Sequence, residues 1–371
     1  MHTGRPTRRE VLQTGAAVAA GLAVAGSTQR TCVAQPADMD QIRKTRSYNP
    51  EMEYRRLGKT GIWVSAVCMG GHWKRIDKYI GGSNINPYGL PGSQHRSAFD
   101  QNRWDVVSRC IERGINLIDA CTGGEVMAYA KALKGRREAM FLGYSWYEKE
   151  MRFAPWRKCE KLLQSLDEGL KAAGLEYVDL WRITCHEKGS NHTPGEVEEM
   201  IAALDKARKA GKCRFTGFSS HDRPWIKMMI EKYPEVVQVV VTPYTASSRE
   251  LPTDSVFAAV RQYDVGVLGI KPFGSNSLFK GDSSPDSPEK EADDLRARLA
   301  IRNILCNPAI TAPIPGLISP QQVDNVALAI KERRQNDMLS PAEKAELDAA
   351  CREMWAHLPA DYQWLRNWQY V

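Results

Sequence analysis

The sequence predicts an α/β fold, a (β/α)8 TIM-type barrel with an N-terminal β-hairpin cap and an extra C-terminal helix. Three observations carry that expectation. Short apolar runs alternate with amphipathic segments at roughly 30 to 40 residues per unit, the length of a strand plus its crossover helix. Eight such units follow one another, where an open doubly wound sheet more often stops earlier. No Gly-x-Gly-x-x-Gly turn follows the first apolar run, which disfavours a Rossmann half.

Taken in order, residues 1–34 read as a targeting segment. Thr7-Arg-Arg-Glu-Val-Leu12 is similar to a twin-arginine export signal, and the small-residue apolar run Gly15 to Gly26 is too short to span a bilayer. The expected partner is therefore the twin-arginine export machinery and the expected location the periplasm, with no stable membrane span after processing. Residues 35–50 read as a polar linker and 51–371 as the barrel. Tyr54 to Leu57 and Ile62 to Ser65, joined by Gly58-Lys-Thr-Gly61, form the hairpin. Ala66 to Gly71 is the first barrel strand. His72 to Phe99 lacks periodicity and reads as a lid, with Trp73, Tyr79 and Tyr88 available to a ligand. The remaining strands are expected at Ile115–Asp119, Ala139–Tyr144, Val178–Thr184, Cys213–Ser219, Val236–Val241, Val265–Ile270 and Ile310–Ile314. Helices are clearest at Lys158–Ala173, Pro194–Ala210 and Ala292–Leu305. A last helix over Ser340–Ala356 and the aromatic tail of Tyr362, Trp364, Trp368 and Tyr370 are expected on the outside.

Composition narrows the function classes. The 371 residues carry a net charge of +7 with acids interleaved among the bases, so no basic stripe suggests nucleic acid. Nine cysteines include no Cys-x-x-Cys pair, which points to single thiols rather than a zinc finger, an iron–sulfur run or a disulfide framework.

Chemistry is expected at the C-terminal strand ends, where a parallel barrel collects its loops. Ile115-Asn-Leu-Ile-Asp-Ala-Cys-Thr-Gly-Gly-Glu125 places Asp119 at such an end. Strand alternation turns Arg182 and Thr184 inward, and an inward guanidinium needs a partner. Strands two and four share side-chain layers, so Asp119 is the expected partner. Tyr144, at the end of strand three, is a candidate proton donor, and Lys271, after strand seven, a source of positive charge.

Five segments together resemble the aldo/keto reductase family, over about residues 52 to 335. They are Tyr54 to Gly61, Gly114 to Asp119, Tyr177 to Leu180, Gly211 to Ser219, and Ile314-Pro-Gly316 with Ser319, Gln322 and Asn325. The resemblance implies four catalytic groups: a tyrosine that delivers a proton, a lysine that lowers its pKa, an aspartate that holds the lysine, and a histidine that orients the carbonyl. Carried over, the aspartate is Asp119, Gly124 stands at the tyrosine's place, Tyr144 at the lysine's, and Thr184 at the histidine's, with His186 two residues beyond. The catalytic candidates are therefore Asp119, Tyr144, Arg182, Thr184 and His186. The resemblance also implies cofactor contacts from Ser219, Ser220, Gln238, Lys271, Gly316, Ser319, Asp324 and Asn325. The cofactor is NAD or NADP, with NAD slightly preferred because Leu317, Ile318 and Gln321 stand where a basic clamp on the 2′-phosphate is often found; a barrel that holds no cofactor is the remaining option.

The expected function is nicotinamide-dependent oxidoreduction of a polar, sugar-like carbonyl or alcohol at a rebuilt site. The alternatives are a non-catalytic nucleotide- or sugar-binding barrel and a metal-assisted lyase or hydrolase. For the last, His72, His186, His221, Cys121, Glu125 and Asp222 all lie near strand ends, though without His-x-His spacing.

Overall fold

Eight parallel strands define the molecule, in the order of the chain, in a computed structural model that describes residues 36–83, 85–250 and 255–368. The targeting segment, residues 1–34, lies outside the described residues.

A two-stranded antiparallel hairpin comes first, β1 (Tyr54–Arg56) and β2 (Trp63–Ser65). The barrel strands are β3 (Met69–Gly70), β4 (Leu117–Ala120), β5 (Phe141–Tyr144), β6 (Val178–Thr184), β7 (Cys213–Ser219), β8 (Val239–Pro243), β9 (Gly266–Ile270) and β10 (Ala312–Ile314). The ring closes between its first and last strands: Cys68 N–H donates to Pro313 O and Gly70 N–H to Pro315 O. The main helices are α1 (Ser93–Arg113), α2 (Gly123–Ala132), α3 (Cys159–Ala173), α4 (Pro194–Lys209), α5 (Arg223–Lys232), α6 (Val256–Gln262), α7 (Lys290–Ile304), α8 (Pro320–Gln335) and α9 (Pro341–Ala356). Among the described residues no helix is long and apolar enough to cross a membrane.

The lower half of the barrel is filled with apolar side chains. Leu57 and Val64 of the hairpin enter from below and meet Leu117, Leu180, Val239 and Leu268 from the strands. This plug is why the hairpin precedes the barrel: the inward faces of eight strands leave a floor that must be covered. Helix boundaries follow local chemistry. Thr193 and Ser340 each form a reciprocal capping box with a glutamate three residues on, and Gly114 and Gly174 end α1 and α3 in left-handed conformation.

Three expectations need correction here. Residues 43–50 are not a free linker: Arg46 pairs with buried Asp179 at 3.0 Å, and the Ser47 hydroxyl donates to Ala139 O. The segment after β3 is shorter than periodicity suggests, because α1 begins at Ser93; its early turns are too polar to show an apolar stripe. Trp73 is no lid residue, being buried against Phe99 and Tyr129.

Candidate functional site

A cavity of about 460 Å³ opens at the C-terminal ends of the strands. Its floor is an ion pair. Arg182 Nε donates to Asp119 Oδ1 at 2.8 Å and a second guanidinium nitrogen to Oδ2 at 2.7 Å, with both residues buried. Register explains the meeting: Asp119 is level with Gly143 on β5, whose missing side chain leaves room for the carboxylate. Burial alone would lower the pKa of the Arg182 guanidinium, but Asp119 and Cys121 outweigh it and hold the group fully protonated. Fork-to-carboxylate geometry makes this a rigid contact.

Thr184, on the same inward face, accepts from Arg182 at 3.0 Å and shares hydroxyl contacts with Ser145 (2.8 Å) and Ser219 (3.3 Å). Beneath it Glu150 is buried without a cation. Its carboxylate accepts from the Ser145 hydroxyl, Thr184 N–H (2.8 Å), Trp146 N–H (3.1 Å) and Trp181 Nε1 (3.2 Å). Burial raises its pKa. Glu150 therefore fixes the tips of β5 and β6 without entering the cavity.

A second buried carboxylate stands on the other side of Asp119. Thr122 caps α2, and Glu125 in the first turn points back towards the strands. Glu125 Oε1 accepts from His72 N–H and contacts His72 Nδ1, both at 2.6 Å, and Oε2 accepts from Cys121 N–H at 2.6 Å. Burial pushes this carboxyl up, but His72 and the two backbone donors outweigh it and leave it below the usual range. His72 lines the cavity beside Tyr88, with ring centroids 4.6 Å apart.

The opposite wall is supplied by the C-terminal segment Ala360–Trp368. Tyr362 and Trp364 line the cavity, which corrects their expected outside position. Trp364 stacks on His221 at 4.4 Å. Lys74 Nζ donates to the Ser275 and Tyr362 hydroxyls, and Lys271 Nζ lies 5.5 Å from the Tyr362 ring centre. Burial would raise the Tyr362 hydroxyl, but Lys271 and Lys74 bring it below the ordinary tyrosine value. Nothing in the local sequence after α9 marks this return to the mouth.

The remaining wall runs from Pro315 to the start of α8. Gly316 lies against Gly71, where an added Cβ would be 2.8 Å from the Gly71 carbonyl oxygen. Gln321, Gln322 and Asn325 complete it, with Lys290 from α7 alongside.

Of the sequence candidates, Asp119, Arg182, Thr184, Ser219, Lys271, Gly316 and Asn325 line the cavity. The others do not, each for a local reason. Tyr144 faces outward between β5 and α3, its hydroxyl pressed towards Gly169, with no hydrogen-bond partner among the described residues. The inward residue at that tip is Ser145, one position later, and one residue reverses the face. His186 turns away, its Nε2 accepting from Arg157 at 2.7 Å. Ser220 donates to the His186 and Glu187 carbonyls and stitches a loop. Gln238 precedes β8 at the floor end and accepts from Thr216 N–H; the cavity residue on that strand is Val241. Ser319 is buried as the cap of α8, accepting from Gln322 N–H. Asp324 pairs with Arg113 at 2.6 Å on the helix surface.

The proposed metal set is dispersed: His72 is on Glu125, His186 on Arg157, His221 on Trp364, and Asp222 caps α5. Among the described residues no group of three or more His, Cys, Asp or Glu could hold a metal ion. The cysteines of the described residues are free thiols.

Gly124 has no room for a side chain. A Cβ at Gly124 would lie 2.7 Å from Gly89 Cα and 2.9 Å from Tyr88 O, so the 88–89 loop occupies that space.

Comparison with known proteins agrees with this architecture. L-galactose dehydrogenase of Arabidopsis thaliana is 24% identical over 305 residues, 76% of this chain and 89% of that protein. L-glyceraldehyde 3-phosphate reductase of Escherichia coli (strain K12) is 31% identical over 251 residues, 62% and 65% of the two chains. Among solved structures, a holo-form aldo-keto reductase from Bacillus halodurans superposes with a TM-score of 0.56 at 19% identity, covering 84% of this chain and 99% of its own. An aldo-keto reductase from Klebsiella pneumoniae in complex with NADPH gives 0.56 at 20% identity, covering 80% and 94%. The profile of the Aldo/keto reductase family matches residues 89–297, more than half of the sequence. With the eight-stranded ring and this match together, the chain belongs to the aldo/keto reductase family.

Proposed function

We propose that the chain is a nicotinamide-dependent oxidoreductase acting on a polar, sugar-like carbonyl or alcohol at a rebuilt catalytic site. The observation that carries this reading is the continuity of one cavity from the Asp119–Arg182 floor to the first turn of α8. Such a helix start offers backbone N–H groups to an anion. Gly316 against Gly71 forms a cradle that any side chain would fill, and the hydroxyl and amides of Ser219, Gln322 and Asn325 suit a dinucleotide. The donor set fits the cofactor. Ser219, Lys271, Gly316, Gln322 and Asn325 would hold it, and when bound it supplies or accepts a hydride.

The slight preference for NAD finds no support. One curated relative is named an NADP(+)-dependent aldo-keto reductase, and the Klebsiella structure holds NADPH. Two cations stand on α7 near this wall: Lys290, paired with Asp294 at 2.6 Å, lines the cavity, and Arg298, paired with Glu332 at 2.9 Å, donates to Asn325 Oδ1 at 2.8 Å. NADP(H) is the reading we adopt.

Arg182 and Asp119 set a fixed dipole under the cavity, and Thr184 offers a hydroxyl beside them. Thermal-shift titration with NADPH, NADP, NADH and NAD tests the proposal. A rise in melting temperature, largest with NADPH, is expected; no shift with any of the four overturns it. We also propose export through the twin-arginine route, on Arg8-Arg9 and the apolar run behind them. Replacing both arginines with lysine should keep the protein in the cytoplasmic fraction, and unchanged export would dismiss the signal.

A further inference from the structure

Oxidoreduction at this site needs a proton donor, and the candidate for it, Tyr144, is turned away, as is His186. We propose that His72, its imidazole fixed by Glu125, exchanges the proton with the substrate oxygen; the assignment rests on the oxidoreductase reading above.

Geometry supports the assignment on four counts. The Glu125 carboxylate is fully buried and receives the backbone and Nδ1 of His72 on one oxygen, which leaves Nε2 as the imidazole's remaining nitrogen. The His72 ring forms part of the cavity wall with its side chain 33% exposed, so a substrate can reach it. Its φ of 54° is left-handed for a non-glycine residue, a strained conformation held by these contacts, and such strain gathers at functional positions. The space for the pair is made by glycine: a Cβ at Gly71 would fall 1.9 Å from the Glu125 carboxyl carbon.

Position matters as much as geometry. Glu125 directly follows Gly124, where the 88–89 loop closes off the space for a side chain. The pair brings a titratable group to the mouth from β3, one strand away from Asp119. The titratable groups that face His72 are Glu125 from α2, Tyr88 and Glu148 after β5, and the same cavity wall carries Lys74, Cys121, the Asp119–Arg182 floor, and Asp361 with Tyr362 from the C-terminal segment.

In reduction, the carbonyl carbon takes a hydride from the dihydronicotinamide while its oxygen takes the proton from Nε2 of the His72 imidazolium. The products are an alcohol, oxidised nicotinamide and neutral His72, which regains a proton from solvent. Alcohol oxidation runs the same transfers backwards. Glu125 stays ionised throughout, holding one tautomer and stabilising the imidazolium, as a carboxylate does behind a catalytic histidine.

The test has a spectroscopic and a kinetic arm, both on the full chain. With histidine labelled in nitrogen-15, neutral His72 should carry its proton on Nδ1, and NADPH should shift the Nε2 resonance. A proton on Nε2 in the neutral form overturns the assignment. In NADPH oxidation with glyceraldehyde and 4-nitrobenzaldehyde, His72→Gln should lower kcat by about 10²- to 10⁴-fold while keeping the NADPH-induced melting shift. Tyr362→Phe should cost less than about tenfold. A His72→Gln rate within about threefold of wild type, a larger loss from Tyr362→Phe, or NADPH binding without reduction of either aldehyde each overturns it. Failure of the wild type to bind NADPH is a different result: it defeats the oxidoreductase reading first and takes the assignment of His72 with it.

Discussion

Two buried carboxylates stand six residues apart at the mouth of this barrel, and their partners differ in kind. Asp119 is bound by the guanidinium of Arg182, which keeps its proton at every pH the fold survives. Glu125 is bound by the imidazole of His72, a ring that can carry one proton or two. The first pair is a permanent dipole under the cavity. The second is a pair that can gain or lose a proton while keeping its geometry. Carbonyl reduction needs both services, field and proton, and in the proposed site they are divided between neighbouring strands.

The largest effect that would break this contrast is removal of one member of the floor pair. Asp119→Ala or Arg182→Ala leaves an unpaired buried charge and should cost about 3–5 kcal/mol, read by urea unfolding. Replacing both with apolar residues should recover much of that loss. Single variants within about 1 kcal/mol of wild type would mean that solvent reaches the pair, and the floor would not be dry.

Filling the glycines at the second pair should have a smaller but visible effect. Gly71→Ala drives a methyl group into the Glu125 carboxyl, and Gly124→Tyr drives a ring into the 88–89 loop. Each should cost about 1–3 kcal/mol by overpacking, and Gly124→Tyr should restore no activity, because the loop holds that space. A gain in aldehyde reduction by Gly124→Tyr would show that the loop yields and that a phenol at that position can serve the reaction.

The fold was legible because its signal is repetitive: apolar runs at β-strand length recur often enough that an error in one boundary is absorbed by the rest. The site was legible only in part. Arg182 could be read as inward and paired because a charge inside a buried seven-residue strand leaves few options. At the strand tips, Tyr144 and Gln238 misled through register: the residue turned inward at the first tip is Ser145, which meets Thr184, and the cavity residue of β8 is Val241. Tyr362 and the His72–Glu125 contact escaped because they join segments far apart in sequence, or meet through a loop with no periodicity. Each titratable group was visible, but its partner was not.

The contrast extends to pH through a carboxylate at the floor end of β6. Asp179 is held by Arg46 (3.0 Å), Arg137 (2.7 Å) and Arg214 (2.8 Å), with Leu142 N–H at 2.9 Å. Burial pushes its pKa up, but the arginines outweigh that and leave it below the usual value. The unfolded chain therefore binds this proton at higher pH than the native state does. The stabilisation is complete above the unfolded value of about 3.9 and is lost as pH falls through the depressed native value. Glu150 works the other way: its raised pKa makes the native state the better proton binder, so its contribution weakens as pH rises from about 4.3 through the native value. Asp179→Asn should remove the steepest part of the acid-side loss in a plot of unfolding free energy against pH, and Glu150→Gln should flatten the slope above it. If Asp179→Asn left the acid limb unchanged, the three arginines would be contributing little, and hinge-like freedom of residues 43–50 would follow.

The smallest expected effect belongs to the residue that the sequence offered as a proton donor. Tyr144 is buried between β5 and α3 with its hydroxyl unpartnered among the described residues, and burial with Glu150 and Glu148 nearby holds that hydroxyl protonated. Removing a buried polar atom that makes no hydrogen bond costs little and often relieves a desolvation penalty. Tyr144→Phe should therefore stay within about 0.5 kcal/mol of wild type or gain slightly, with NADPH binding and aldehyde reduction unchanged. A large loss of rate at normal stability would turn this ring inward and make it the proton donor, and His72 would then be holding Glu125 in place for architecture alone.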